Sequence, residues 1–140
     1  MLHAYRCALL RFDDRHQALY DSDGLLVTSP DVRGMQIVQA AGPYASLMAQ
    51  YPGLAVKDWR GRLVAPGFVD MHVHYPQTDV IGSPADGLLP WLEHYTFPHE
   101  ARFADKVYAR GVADFFFDEL QRHGVTTALT FSTSHVTSVD

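Results

Sequence analysis

Apolar positions fall in short β-prone blocks over the first half of the chain, and a single long stretch in the second half carries helical spacing. Residues 4–12 read as a strand, "DSDG" at 21–24 as a turn launching a short strand at 25–27, and residues 35–40 as another strand. After the Ala-Gly-Pro break at 41–43, residues 44–51 read as a short helix ended by Pro52 and Gly53, followed by a strand at 54–59. Together these make a small, mostly β module.

Arg60 and Gly61 form a turn, and "LVAPGFVDMHVH" at 63–74 follows as an apolar strand broken at Pro66-Gly67. Proline removes a ladder donor and glycine frees the backbone, so the break marks where the chain leaves one sheet and enters another. The boundary is expected between residues 60 and 66, giving residues 1–62 as the N-terminal part of a small β-sandwich domain and 63–140 as a second unit. Residues 75–90, with two glycines and three prolines, read as a long loop; 91–97 as one or two helical turns; 98–102 as a connection. Residues 105–123 form a full helix with Val107, Gly111, Phe115, Phe116 and Leu120 on one face and Gly124 as its C-cap. The β-branched run "VTTALTF" at 125–131 is a second buried strand. Strand, loop, helix and strand make one βαβ unit and imply a parallel sheet. Two parallel strands leave edges and apolar faces without partners, so the chain is expected to be the N-terminal piece of a longer protein.

Composition narrows the class. The 140 residues are 47% apolar, enough for a buried core, and a net charge of -5 without a basic cluster argues against nucleic acid or an anionic membrane as partner. One cysteine, Cys7, excludes both an intrachain disulfide and a cysteine-pair zinc site, which makes reducing cytoplasm the default location. The opening run is too short and too charged for a signal peptide or a membrane span.

The chemistry gathers at the end of the 63–74 strand. Strand periodicity puts Phe68, Asp70, His72 and His74 on one face and Val69, Met71 and Val73 on the other. Active sites of parallel barrels lie at the C-terminal ends of their strands, and two imidazoles there suit a divalent metal of the zinc type. The competing reading is a pair of surface or satisfied core histidines. The metal is favoured because the pair ends a buried apolar strand and precedes a polar loop. A catalytic zinc takes at least three protein ligands, so others must join.

"APGFVDMHVH" at 65–74 resembles the first-strand signature of the amidohydrolase superfamily. Gln77, "LLPWLEHYTFPHEARF" at 88–103 and "GVTTALTFSTSH" at 124–135 resemble, within it, the guanine deaminase family. The resemblance implies an α/β fold, the start of a metal-dependent (β/α)8 TIM-like barrel, incomplete in 140 residues and preceded by a small β-sandwich module. It implies hydrolytic deamination of guanine to xanthine and ammonia by a cytoplasmic homodimer, with zinc, or iron in its place, as cofactor. His72 and His74 match the family's metal ligands, and Gln77 matches a glutamine that hydrogen-bonds the purine, whose edge offers donors and acceptors that a carboxamide can meet. Trp91, with Tyr95 and Phe97, is a candidate wall of the purine pocket, against the alternative of helix packing. Asp70 is a candidate carboxylate behind the metal ligands, and the triplet Phe115, Phe116 and Phe117 is packing between helix and barrel. His94, His99 and His123 read as surface residues, while a role for His135 in shaping the site stays open. The family's later ligands, two histidines and an aspartate, and its catalytic glutamate have no counterpart before Asp140, so catalytic residues are expected beyond it and these 140 residues alone are expected to be inactive. The alternatives are another amidohydrolase, such as a chlorohydrolase or cytosine deaminase, and a non-catalytic fragment or interaction module.

Overall fold

The computed structural model describes residues 1–139, and the chain divides into two compact units, Met1–Pro66 and Gly67–Asp140. In the first unit β1 (His3–Phe12) pairs antiparallel with β2 (Ala18–Pro30), β2 antiparallel with β3 (Gln36–Pro43), and β1 parallel with β4 (Val56–Val64), giving the order β3-β2-β1-β4. Ala4, Leu25 and Val27 are buried beneath α1 (Tyr44–Met48), where Tyr44, Leu47 and Met48 pack on them. A single sheet with one helical cover is what the described residues of this unit form.

The expected turn at 21–24 is not a turn. Strand β2 continues through it, because Asp21 and Asp23 are held across to β1 by Arg11 at 2.8 Å and by Nε and Nη2 of Arg6 at 2.7 Å. Gly24 serves close approach instead: a Cβ there would lie 2.7 Å from the Leu9 side chain, beside the bulge where the β1–β2 register shifts. The reversal lies earlier, where the Asp13 carboxylate accepts the Arg15 and Gln17 backbone N–H groups at 2.9 Å and His16 adopts φ 60°. At Arg60-Gly61 strand β4 continues through an irregularity, with Gly61 left-handed at φ 85°.

In the second unit β5 (Phe68–His74) and β6 (Val125–Phe131) pair in parallel, with α4 (Lys106–Arg122) between them in sequence. The long loop expected at 75–90 contains a 3-10 helix, Tyr75–Val80, and the start of a helical path: α2 (Leu88–Trp91), a π-helical turn Leu92–Thr96, α3 (Phe97–Glu100) and a 3-10 turn Ala101–Ala104. Residues 98–102 are therefore helical, not a connection. Pro98 breaks an ordinary helix because it lacks a donor and crowds the carbonyl four residues back; here it sits in the first turn of α3, just after the wider π turn.

Helix α4 begins at Asp105, whose carboxylate accepts from Val107 N at 2.8 Å and Tyr108 N at 3.3 Å, and ends before left-handed Gly124. Its buried stripe is displaced from the expected one. Ala109 and Phe116, with Val112 and Leu120, pack on Tyr75, Phe103 and Val73, whereas Val107 and Phe115 are 83% and 57% exposed. Both stripes satisfy the helical period, and the one that faces Tyr75 and Phe103 is covered. Of the phenylalanine triplet only Phe116 is buried; Phe115 and Phe117 remain exposed. Gly67 admits no other residue without movement, since a Cβ would fall 2.0 Å from the Thr126 hydroxyl on β6. That approach seats the start of β5 against β6, where Phe68 N donates to the Gly124 carbonyl at 2.8 Å.

Candidate active site

Strand β5 delivers His72 and His74 to its C-terminal end with their Nε2 atoms 3.0 Å apart. A neutral pair at that distance shares one proton, with one ring donating and the other accepting. Between Asp70 and Val73 the β5–β6 register shifts, and three residues of β5 span two of β6. The Asp70 carboxylate accepts the His72 backbone N–H at 3.0 Å, so it fixes the peptide that carries the first imidazole. Asp70 thus acts on the backbone of His72.

Both imidazoles lie against one phenyl ring. Phe131, the last residue of β6 and the register partner of His74, stacks on His74 at 4.9 Å and 14° and meets His72 at 4.6 Å and 31°. A phenyl ring cannot ligate a metal or compete for either Nε2, so it orients the pair and keeps its back apolar. Sequence reasoning missed Phe131 because it read 125–131 only as a buried strand. The parallel pairing itself was the available signal: it brings the last residue of one strand beside the last residue of the other.

The donor set fits half of a metal centre. Two zinc-bound nitrogens at 2.0–2.1 Å in a tetrahedral shell stand roughly 3.3 Å apart, close to the spacing found here. Among the described residues no third His, Cys, Asp or Glu joins them in a metal-sized cluster.

Gln77 follows within the 3-10 helix Tyr75–Val80, half-buried, and its Nε2 donates to Glu100 Oε1 of α3 at 3.3 Å. Two residues on, Asp79 accepts from the Tyr108 hydroxyl at 3.1 Å and lies 3.4 Å from His99 Nε2, which contacts the same hydroxyl at 3.0 Å. Burial first, and then the bond to Asp79, push the Tyr108 phenol above its ordinary pKa. His99 is therefore not the surface residue expected: its side chain is 11% exposed and built into this cluster. Trp91 and Tyr95 are half-buried and Phe97 is exposed, and none of the three makes a ring contact with the histidine pair. His94 and His123 are exposed, as their positions suggested. His135 precedes the closing 3-10 turn Val136–Ser138 and uses its backbone there, donating to Thr133 and accepting from Ser138. A cleft of about 680 Å³ beside α4 and β6, bordered by Tyr75, Ala113, Phe117 and Thr130, contains none of His72, His74 or Gln77.

The model of the amidohydrolase family matches residues 63–140, more than half of the sequence. The chain belongs to the amidohydrolase family. It is 51% identical over 87 residues to the guanine deaminase of Escherichia coli K12, an alignment covering 62% of this chain and 20% of that protein. It is 46% identical over 96 residues to a probable guanine deaminase of Deinococcus radiodurans, covering 69% and 22%. Among solved structures, guanine deaminase from Bradyrhizobium japonicum superposes with a TM-score of 0.86 at 32% identity over 99% of this chain and 31% of that one. The C. acetobutylicum guanine deaminase with guanine bound in its active site gives 0.75 at 28% identity over 96% and 31%. The chain thus spans about a fifth of the length of these two curated relatives and about a third of these two structures.

Proposed function

We propose that this amidohydrolase chain contributes the first metal ligands and a purine-reading side chain to a guanine deaminase, which hydrolyses guanine to xanthine and ammonia. The observation that carries this reading is the convergence of His72 and His74 Nε2 at the end of β5, three residues before Gln77. The β5–α4–β6 unit corresponds on this reading to the opening of a (β/α)8 barrel, whose strand ends host active sites. The same reading makes the complete enzyme a cytoplasmic homodimer acting on a small purine. No helix among the described residues is long and apolar enough to cross a membrane.

His72 and His74 would hold a divalent cation, zinc or iron by their donor type. Such a cation supplies, when bound, the Lewis acidity that brings the pKa of water from 15.7 to about 7. Asp70 keeps the His72 peptide in place, and Phe131 lies against both rings and orients them. Gln77 presents its carboxamide to the purine edge, and Trp91 stacks on the purine face.

The test is ammonia release from guanine and from cytosine, and chloride release from a chlorinated triazine, using the complete protein with and without chelator. Guanine is the expected substrate, and selective turnover of either of the others would contradict the proposal. The isolated 140-residue chain is expected to release none, because two imidazoles fall short of the three ligands a catalytic site requires.

A further inference from the structure

We propose that Glu100 is a specificity-determining positioning residue, which sets the direction in which Gln77 reads a purine. The inference rests on the function proposed above for its substrate class, and on the geometry of this chain for its cause.

A carboxamide is ambiguous. Its oxygen accepts and its nitrogen donates, and rotation by half a turn exchanges the two at almost no steric cost. A carboxylate is not ambiguous, because it only accepts. With Glu100 Oε1 3.3 Å from Gln77 Nε2, the amide nitrogen must face Glu100, and the flipped rotamer would set two oxygens against each other. The Gln77 oxygen and its second N–H then point elsewhere in a fixed order.

A second link keeps the two partners in register. Asp79, two residues after Gln77 on the same 3-10 helix, is tied to His99, the neighbour of Glu100 on α3, and both are tied to Tyr108 of α4. The Tyr108 hydroxyl has one proton, which goes to the Asp79 carboxylate, so His99 Nε2–H is the donor to the Tyr108 oxygen. Arg102 lies over the Tyr108 ring at 4.0 Å and adds a cationic contact to the cluster. The 3-10 helix that carries Gln77 is thereby joined to α3 at two points.

Fixed order matters for purines. A 6-oxo purine such as guanine presents an acceptor at position 6 beside an N1–H donor, whereas a 6-amino purine such as adenine presents a donor at position 6 beside an N1 acceptor. In one pose, an amide that cannot flip complements only one of these patterns. One that can flip accommodates both.

Two measurements decide it. In the 15N-labelled chain, solvent exchange of the Gln77 side-chain amide protons is expected to accelerate about tenfold on Glu100→Ala, the equilibrium equivalent of one modest hydrogen bond. Unchanged exchange would overturn the link. In the complete guanine-active protein, Glu100→Gln retains size and contact but permits either orientation of Gln77. It is expected to leave Tm unchanged and to narrow the ratio of adenine Ki to guanine KM about tenfold, with kcat moving less. Wild-type discrimination in Glu100→Gln would overturn the proposal, since a purely structural Glu100 predicts that result. Failure of the wild type to deaminate guanine would count against the function proposed above, while the amide exchange still decides whether Glu100 holds Gln77.

Discussion

The sheet of the first unit and the end of β5 in the second treat their polar groups in opposite ways. In Met1–Pro66 the arginines Arg6, Arg11 and Arg60 are consumed by carboxylates of the same unit, Asp23, Asp21 and Asp58, at 2.6–2.8 Å. Hydrogen bonding from Arg6 and Arg60 holds the Asp23 and Asp58 carboxyls below the usual carboxylate range. In Gly67–Asp140 the end of β5 presents two imidazoles whose described polar partners are each other, backed by a phenyl ring, and Gln77 follows with its Nε2 on Glu100 and its oxygen without a partner among the described residues. The difference separates polarity that holds a fold together from polarity kept available for chemistry.

The comparison is broken most completely at the histidines. In the complete protein, on the function proposed above, His72→Ala or His74→Ala is expected to lower guanine turnover by at least about 10³-fold and to release the metal while leaving the fold intact, because removing a ligand removes the activation of water. Circular dichroism with metal analysis on the same sample separates that from unfolding. Next in size is the core that carries the site: Phe116→Ala is expected to cost about 3–5 kcal/mol in denaturant unfolding, against under about 1 kcal/mol for exposed Phe115→Ala. Equal losses would mean that the covered stripe of α4 has been misassigned.

Asp70 sharpens the contrast within the second unit. Asp70→Ala frees the His72 N–H and is expected to weaken metal binding about 10–100-fold, with Asp70→Asn recovering most of it because an amide oxygen still accepts. The smallest effect belongs to the first unit. Replacing Asp23 by Asn removes the charge of its exposed pair with Arg6 while leaving Arg6 over the Tyr44 ring, and any stability lost is expected only above the carboxylate range. The sign follows from the depressed Asp23 pKa: the pair contributes above the unfolded carboxylate pKa and fades as pH falls through the lowered folded value. Wild-type and Asp23→Asn melting curves should therefore converge in acid.

Much of this organisation was legible in the sequence, and the failures have physical causes. The strand at β5, the helix α4 with its Gly124 stop, and β6 followed from periodicity and capping chemistry, which act within a few residues, while the Asp105 cap emerged only from the structure. The turn expected at 21–24 failed because cross-strand arginines on β1 recruited its aspartates into a ladder, a long-range contact that local turn propensity does not contain. The buried stripe of α4 was misjudged because two apolar stripes share one period and only packing chooses between them. At the site, His72 and His74 stood out by spacing and Gln77 by resemblance, whereas Phe131, Glu100 and the His99 cluster depend on which elements meet across the βαβ unit.

The central claim is that His72 and His74 hold a metal on which guanine deamination depends. Native mass spectrometry of the complete protein and its His74→Ala variant, paired with guanine turnover on the same preparations, tests it most directly. The account predicts a tightly held metal and guanine turnover in the wild type, both lost together in the variant. Full metal content with full guanine turnover in His74→Ala would contradict it.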